Sequence, residues 1–138
     1  MLVQTLLLWQ GGFLFYTAVV VPIGTDAHGA FNQGRITREV TVVMNIIGAV
    51  ALVVFAWDQW HERSRWRWAS WSVLALTLFG LLMLHGRIDA HIDFGAGYIA
   101  DYPRFYFWHR VYLYVATLQW LAGLVYTGQL VRMWSKRA

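Results

Sequence analysis

The chain contains four long stretches without a formally charged side chain, and they lie at residues 1–25, 40–57, 68–86 and 111–131. A helix needs about 20 apolar residues to cross the hydrocarbon core of a bilayer, and about 17–25 are tolerated. Each stretch meets this length and is apolar nearly all round, whereas a helical bundle in water needs polar outer faces. The sequence therefore predicts an all-α protein, an integral membrane four-helix bundle in a single domain.

The composition supports a bilayer as the solvent of these helices. Hydrophobic residues make up 59% of the chain and charged residues only 13%, and there is no cysteine. The lack of cysteine excludes disulfides, thiolate metal sites and thiol nucleophiles. The basic residues stand at the ends of apolar stretches rather than in a stripe with exposed aromatics, so no nucleic-acid partner is predicted.

The predicted helices cover about residues 2–22, 37–60, 67–88 and 104–132. Pro22 and Gly24 are expected to end the first helix, and Thr37 or Asn32 to cap the second. Pro103 suits the first turn of the fourth helix. The first stretch lacks the basic segment and the small-residue cleavage site of a signal peptide, so we expect it to be a spanning helix.

The distribution of arginine and lysine predicts the orientation, because these residues in short loops mark the cytoplasmic side. The turn after the second helix and the C-terminal tail hold six of them: Arg63, Arg65, Arg67, Arg132, Lys136 and Arg137. The other two loops hold Arg35, Arg38, Arg87, Arg104 and Arg110 together with five acids. A belt of tryptophans is predicted at the same membrane interface as these six basic residues. We therefore predict an N-in, C-in, multi-pass protein of the bacterial cytoplasmic (inner) membrane.

This orientation gathers most of the histidines in the two outer loops, namely His28, His85, His91 and His109. The loops are predicted to have roughly 14 and 15 residues, whereas helical bundles usually use about 2–8. Long loops rich in His, Asp and Arg are candidates for function. They are equally typical of a wetted surface crossed by salt bridges, and both interpretations stay open.

His85 and His109 are the candidate cofactor ligands. If the third helix continues outward, His85, Asp89 and Asp93 share one face, and the carboxylate one turn away can fix the imidazole tautomer or ligate a metal. The third and fourth helices should be antiparallel neighbours, so His109 is expected at a similar depth to His85. Two histidines on facing helices are the minimal arrangement for a six-coordinate haem. Haem b or a transition metal is predicted, with no bound cofactor as the alternative.

The predicted site residues form two overlapping sets. The residues of the cofactor-binding set are predicted to lie near the outer face and carry imidazole, guanidinium or phenol groups. They are His85, His109, Arg87, Arg110 and Tyr112. The metal-ligating set comprises His85, Asp89, His91, His109 and His28. Arg87, Arg104 and Arg110 would offset the negative charge of propionates or of a substrate. No catalytic residue is predicted.

The fourth helix also carries a heptad stripe of polar and small residues: His109, Tyr112, Ala116, Gln119, Gly123 and Tyr126. The second helix offers a partner stripe of Arg38, Thr41, Asn45 and Gly48, and the first offers Gln10, Gly11, Gly12, Tyr16 and Thr17. Such stripes pack membrane helices together. The alternative is a polar interior for protons, a quinone headgroup or a small substrate. No Asp, Glu or Lys falls at mid-depth, which counts against a pump or coupled transporter.

The stretches WQGGFLFYTAVVVPIG (9–24), LH (84–85) and FYFWHRVYLYVATLQW (105–120) resemble a group of small four-helix bacterial membrane proteins. More distantly they resemble CopD-type copper-resistance membrane domains and the membrane-bound protoporphyrinogen oxidase family. The shared elements are a Trp/Gly-rich first helix ending in Pro and a late His, here Trp9, Gly12, Phe15, Tyr16, Pro22 and His109. The chain has no His in its first helix, where the oxidase family carries a haem ligand. The resemblance implies a function connected with haem or metal.

Three functions are consistent with these features. The first is a small redox- or metal-associated membrane protein with a haem or metal site near the outer (periplasmic) face. The second is a non-catalytic accessory or assembly subunit of a larger membrane complex, and the third is a small-solute permease. The predicted partners are the lipid bilayer and other membrane subunits or further copies of the chain. No reaction is predicted.

Overall fold

The computed structural model describes residues 2–60, 64–93 and 95–135, and the described chain consists of four long helices and one short hairpin. We label the helical stretch over residues 2–28 as α1, and it is followed by α2 (Ala30–Trp60), α3 (Arg65–Asp89) and α4 (Tyr102–Ser135). Strands β1 (Ile92–Asp93) and β2 (Tyr98–Ile99) pair antiparallel between α3 and α4. The predicted all-α class is confirmed for these residues.

Contacts between side chains define an up-down-up-down bundle. The Tyr16 hydroxyl donates to Thr37 Oγ1 at 3.1 Å, which joins α1 to α2. The Trp71 indole donates to the Leu52 carbonyl at 2.9 Å, which joins α3 to α2. We call the end of the bundle that holds Gly29 and the hairpin the hairpin end. The opposite end, where α2 ends and α3 begins, is the turn end.

Helix α1 is longer and less regular than predicted. It alternates α-helical segments Leu2–Leu6, Gly12–Phe15 and Val21–His28 with π-helical segments Leu7–Gly11 and Tyr16–Val20. Pro22 has no amide hydrogen to donate, but it lies in the first turn of the last segment, where none is needed. The wide π-helical turn directly before it accommodates the ring. Pro22 and Gly24 therefore do not end the helix, which continues to His28.

The predicted 14-residue loop after the first helix is wrong. A single residue, Gly29, joins α1 to α2, and its φ of 79° lies in the region that favours glycine. Because this residue reverses the chain at once, α2 begins at Ala30. Neither Asn32 nor Thr37 caps the helix, since both lie within α2, and the Asn32 amide donates to the His28 carbonyl at 3.1 Å.

The core lies towards the turn end, and the helix surfaces outside it are apolar. Tyr126 and Phe55 are fully buried and stack with ring centroids 5.0 Å apart.

Within the described chain, three helices are long and apolar enough to cross a membrane: Gln4–His28, Ala30–Trp60 and Arg65–Asp89. Only 17–28% of their most apolar windows is buried. Helix α4 is not among the three, because tyrosine, glutamine and glycine interrupt its apolar residues.

Candidate functional site

A cavity of about 400 Å³ opens at the hairpin end, where all four helices and the hairpin contribute side chains. Its polar and charged wall includes Arg38, His85, Asp89, His109 and Tyr112. Its apolar wall includes Val21, Phe31, Ile88, Ile92, Ile99 and Phe105. The volume falls in the range of small-molecule sites, about 300–1,000 Å³. Apolar walls with a few polar groups are also typical of such sites.

His85 lines this cavity and carries a buried nitrogen, Nε2, without a hydrogen-bond partner among the described residues. The nearest carboxylate oxygen, Asp89 Oδ2, lies 3.6 Å away, which is beyond hydrogen-bond distance. Because a buried polar atom without a partner costs about 1–3 kcal/mol, any group that satisfied this nitrogen would stabilise the folded protein.

Asp89 belongs to an ion pair between α3 and α2. The Arg38 Nε atom donates to Asp89 Oδ2 at 2.8 Å, and Arg38 also pairs with Glu39 through Nη1. Asp89 thus stands one turn from His85, with the i, i+4 spacing that the sequence predicts. Asp93 does not share this face, because α3 ends at Asp89 and the chain turns into the hairpin. Its Oδ1 atom accepts the Gly95 and Ala96 amides at 3.0 and 2.9 Å.

His109 lines the same cavity from α4. Its ring stacks on Phe105, one turn earlier, with centroids 5.7 Å apart and the planes 8° from parallel. Tyr112 follows one turn deeper, and its hydroxyl lies within hydrogen-bonding reach of Thr41 and Asn45. The cavity thus has an imidazole on the α3 wall, another on the α4 wall and hydroxyl and amide groups beneath.

Several predicted site residues lie elsewhere. The Arg87 guanidinium stands 4.9 Å above the Trp108 ring, and neither Arg87 nor Arg110 lines the cavity. His91 is also absent from the wall, and its carbonyl accepts the Ala100 amide at 2.9 Å as part of the hairpin. His28 ends α1 in an adjoining surface groove. Helical continuity and the hairpin direct these side chains away from the cavity.

The predicted metal set is not gathered into one centre. In the part of the chain that the structure describes, no three His, Asp or Glu side chains are placed to hold a metal ion. His85, Asp89 and His109 share the cavity wall, whereas His28 and His91 stand outside it. The two imidazoles of the wall come from different helices, and the cavity that they line is also bounded by α1 and α2.

A second concavity at the hairpin end is a surface groove of about 690 Å³. It is lined by His28, Asn32, Arg35, Ile36, Arg38 and Glu39, and Arg35 and Arg38 also line the cavity. The sequence predicted a loop up to residue 36, with the second helix beginning at residue 37. Read as a helix from residue 30, the spacing of 35 and 38 puts both guanidiniums on one side of α2.

The polar stripes largely face the interior, as their heptad spacing predicts. Ala116, Gln119, Gly123 and Tyr126 of α4 are buried, and so are Asn45 and Gly48 of α2. A side chain at Gly48 or Gly123 would collide with Trp9 or Gln10, so the two glycines admit α1 closely. Gly11 and Thr17 are exposed, against prediction, because adjacent residues of a helix point in directions about 100° apart and cannot all face the interior. Most of the stripe therefore serves helix packing.

Comparisons with protein-family models, with curated proteins and with solved structures found no match to this chain. The resemblance to CopD-type domains and to the protoporphyrinogen oxidase family stays a prediction from the motifs.

Proposed function

We propose that the protein spans a membrane with all four helices and binds haem b in the cavity at the hairpin end. The observation that carries the proposal is the buried, unsatisfied Nε2 atom of His85 on a cavity wall shared with His109. The protein would be a small redox-associated membrane protein with its cofactor near the outer face.

Lipid as the solvent is supported by the exposed apolar surface. Among the aliphatic side chains that are about two-thirds exposed or more are Leu7, Leu8, Val53 and Leu76, from three different helices. Contiguous exposed apolar surface on this scale is rare on soluble monomers. At the turn end Trp57, Trp60, Trp66 and Trp134 are exposed, which is typical of the aromatic belt at a membrane interface.

The N-in, C-in orientation in a bacterial cytoplasmic membrane belongs to the same proposal. Of the six basic residues that predict it, Arg63, Lys136 and Arg137 lie outside the described residues. Arg65 and Arg132 are exposed at the turn end, whereas Arg67 is buried.

A C-terminal green fluorescent protein fusion should fluoresce in bacterial cells, and a C-terminal alkaline phosphatase fusion should be inactive. The reverse pattern would contradict the orientation without affecting the cavity.

The wall of the cavity suits haem better than a lone metal ion. An ion needs three or more protein donors in one place, and the described residues do not bring three together. Haem can be held by imidazole side chains in apolar surroundings, and His85 and His109 would be the residues that hold it in this cavity. When bound, haem would supply one-electron transfer, which the side chains lack. The apolar wall would exclude water from the ring.

An absorption spectrum of the protein purified in mild detergent tests this proposal. We expect a Soret band and about one iron per chain. His85→Ala and His109→Ala should each lose most of the band, because each removes an imidazole from the cavity wall. His28→Ala and His91→Ala are the matched controls, since both leave the wall intact, and they should keep it.

Two results would contradict haem binding. One is protein that stays colourless and iron-free even after haem is supplied during expression and in vitro. The other is a band that all four histidine variants reduce equally, which would indicate adventitious haem. Colourless protein that is stable only together with other membrane subunits would favour the accessory role instead.

A further inference from the structure

We infer that the ligand of the cavity is an amphipathic acid, and that Arg35 anchors its anionic group while its apolar body fills the cavity. This inference rests on the proposed function and specifies the chemistry of the ligand at the same site. It adds Arg35, which the sequence alone did not place at the site, as a residue that selects the ligand.

The first observation is that the two concavities of the hairpin end adjoin. Arg35 and Arg38 line both the cavity of about 400 Å³ and the groove of about 690 Å³. Half of the residues that line the cavity behind them are aliphatic or aromatic. The groove in front of them is walled by His28, Asn32, Ile36 and Glu39. A molecule that occupied both would pass beside the two guanidiniums, which favour an anionic group at that point.

The second observation concerns the charges at this boundary. Arg38 is already paired, with Asp89 on one side and Glu39 on the other. Arg35, one helical turn before it, has no ion-pair partner among the described residues. The boundary therefore carries two guanidiniums and two carboxylates, and both carboxylates are engaged by Arg38. A guanidinium binds a carboxylate or a phosphate with two parallel hydrogen bonds. An acidic group on the ligand would therefore serve as the ion-pair partner of Arg35.

The third observation is the direction that this arrangement gives to a ligand. His85 lines the cavity beside the Arg38–Asp89 pair, and Arg35 lines both the cavity and the groove. An imidazole in the cavity and a cation at its mouth would bind two different parts of one molecule. Haem has this distribution, because its ring is apolar and its propionates project from one edge.

A matched pair of ligands tests the inference: haem, and haem dimethyl ester, whose propionates carry no charge. Binding would be titrated by difference spectra with the full chain in nanodiscs of zwitterionic phosphatidylcholine. We expect haem to bind about five- to tenfold more tightly than its ester, as one partly exposed ion pair of about 1 kcal/mol predicts. In Arg35→Gln this preference should fall below about twofold.

Two variants make the result specific. Arg35→Lys keeps the charge and should keep most of the preference for the acid. Arg110→Gln removes a guanidinium that is exposed and outside the cavity, and it should keep the full preference. Because Arg35 is itself exposed, its replacement should leave the thermal unfolding of the protein unchanged.

The outcomes separate this inference from the proposed function. If haem and its ester bind equally tightly to the natural protein, the inference is overturned while haem binding stands. If neither binds, the proposed function fails first. Added phosphatidylglycerol distinguishes the source of the acid: a preference that persists supports a ligand-borne group, whereas one abolished by this lipid assigns Arg35 to a lipid phosphate and overturns the inference.

Discussion

The two ends of the bundle use the same pair of residue types differently. Helices α2 and α3 are joined at the hairpin end by Arg38 and Asp89, with Nε 2.8 Å from Oδ2. They are joined at the turn end by Arg67 and Asp58, with Nη2 2.7 Å from Oδ2. The Arg67 side chain is 4% exposed and the Arg38 side chain 37%. Both ion pairs join an arginine to an aspartate, but the two arginines differ in how far they are exposed.

At the turn end the arginine is enclosed. The Tyr126 hydroxyl lies 3.4 Å from Arg67 Nη2, the Tyr126 ring centroid lies 5.8 Å from the guanidinium carbon, and Met133 Sδ lies 3.6 Å from Nη1. At the hairpin end the Arg38–Asp89 pair faces a cavity and an unsatisfied His85 nitrogen. The comparison teaches that the same ion pair joins two helices whether the bundle closes around its arginine or leaves a cavity beside it.

The largest expected effect is at the turn end. Asp58→Ala would leave the buried Arg67 cation without its carboxylate, so we expect the free energy of unfolding to fall by about 3 kcal/mol. Reversible unfolding in mixed SDS and mild-detergent micelles, followed by circular dichroism, measures it. Arg67→Met is the control, because it removes the buried cation as well and should cost less. A loss below about 0.5 kcal/mol in Asp58→Ala would show that the pair is not structural.

A smaller effect is expected where α1 packs on α2. A Cβ atom at Gly48 would lie 2.8 Å from the Trp9 ring, so Gly48→Ala should cost about 1–3 kcal/mol through overpacking. Gly11→Ala is the matched control, because a Cβ there meets nothing within 4 Å. It should leave the free energy of unfolding within about 0.5 kcal/mol or raise it slightly. Equal losses in the two variants would contradict the close approach of Trp9 to Gly48.

The smallest effect on stability is expected at the hairpin end. Asp89→Asn removes the carboxylate of a pair whose arginine is partly exposed, so the free energy of unfolding should fall by about 0.2–1 kcal/mol. The same unfolding assay measures it beside Asp58→Asn, the matched amide variant. If the Asp89 variant is less stable than the Asp58 variant, the conclusion that the turn-end ion pair contributes more to stability is contradicted.

Much of the helical architecture was predictable, because it depends on local patterns. Charge-free stretches of spanning length predicted all four helices, and heptad spacing predicted that Gln119, Gly123 and Tyr126 face the interior. The i, i+4 spacing also placed Asp89 beside His85. The errors lie where one residue decides the path of the chain. Gly29 replaces a predicted loop, and Asp93 holds a hairpin turn instead of extending the face of His85.

What the sequence by itself determined is the number of helices, their apolar surfaces and which residues share a helical face, since the periodicity of a helix follows from its backbone geometry. Only the tertiary structure decided which faces meet. Arg38 and Asp89 are 51 residues apart, and their contact depends on how α2 and α3 are rotated and shifted against each other. That register results from packing between helices, which no pattern within one helix encodes, and it brings His85, His109 and Arg35 to one end of the bundle.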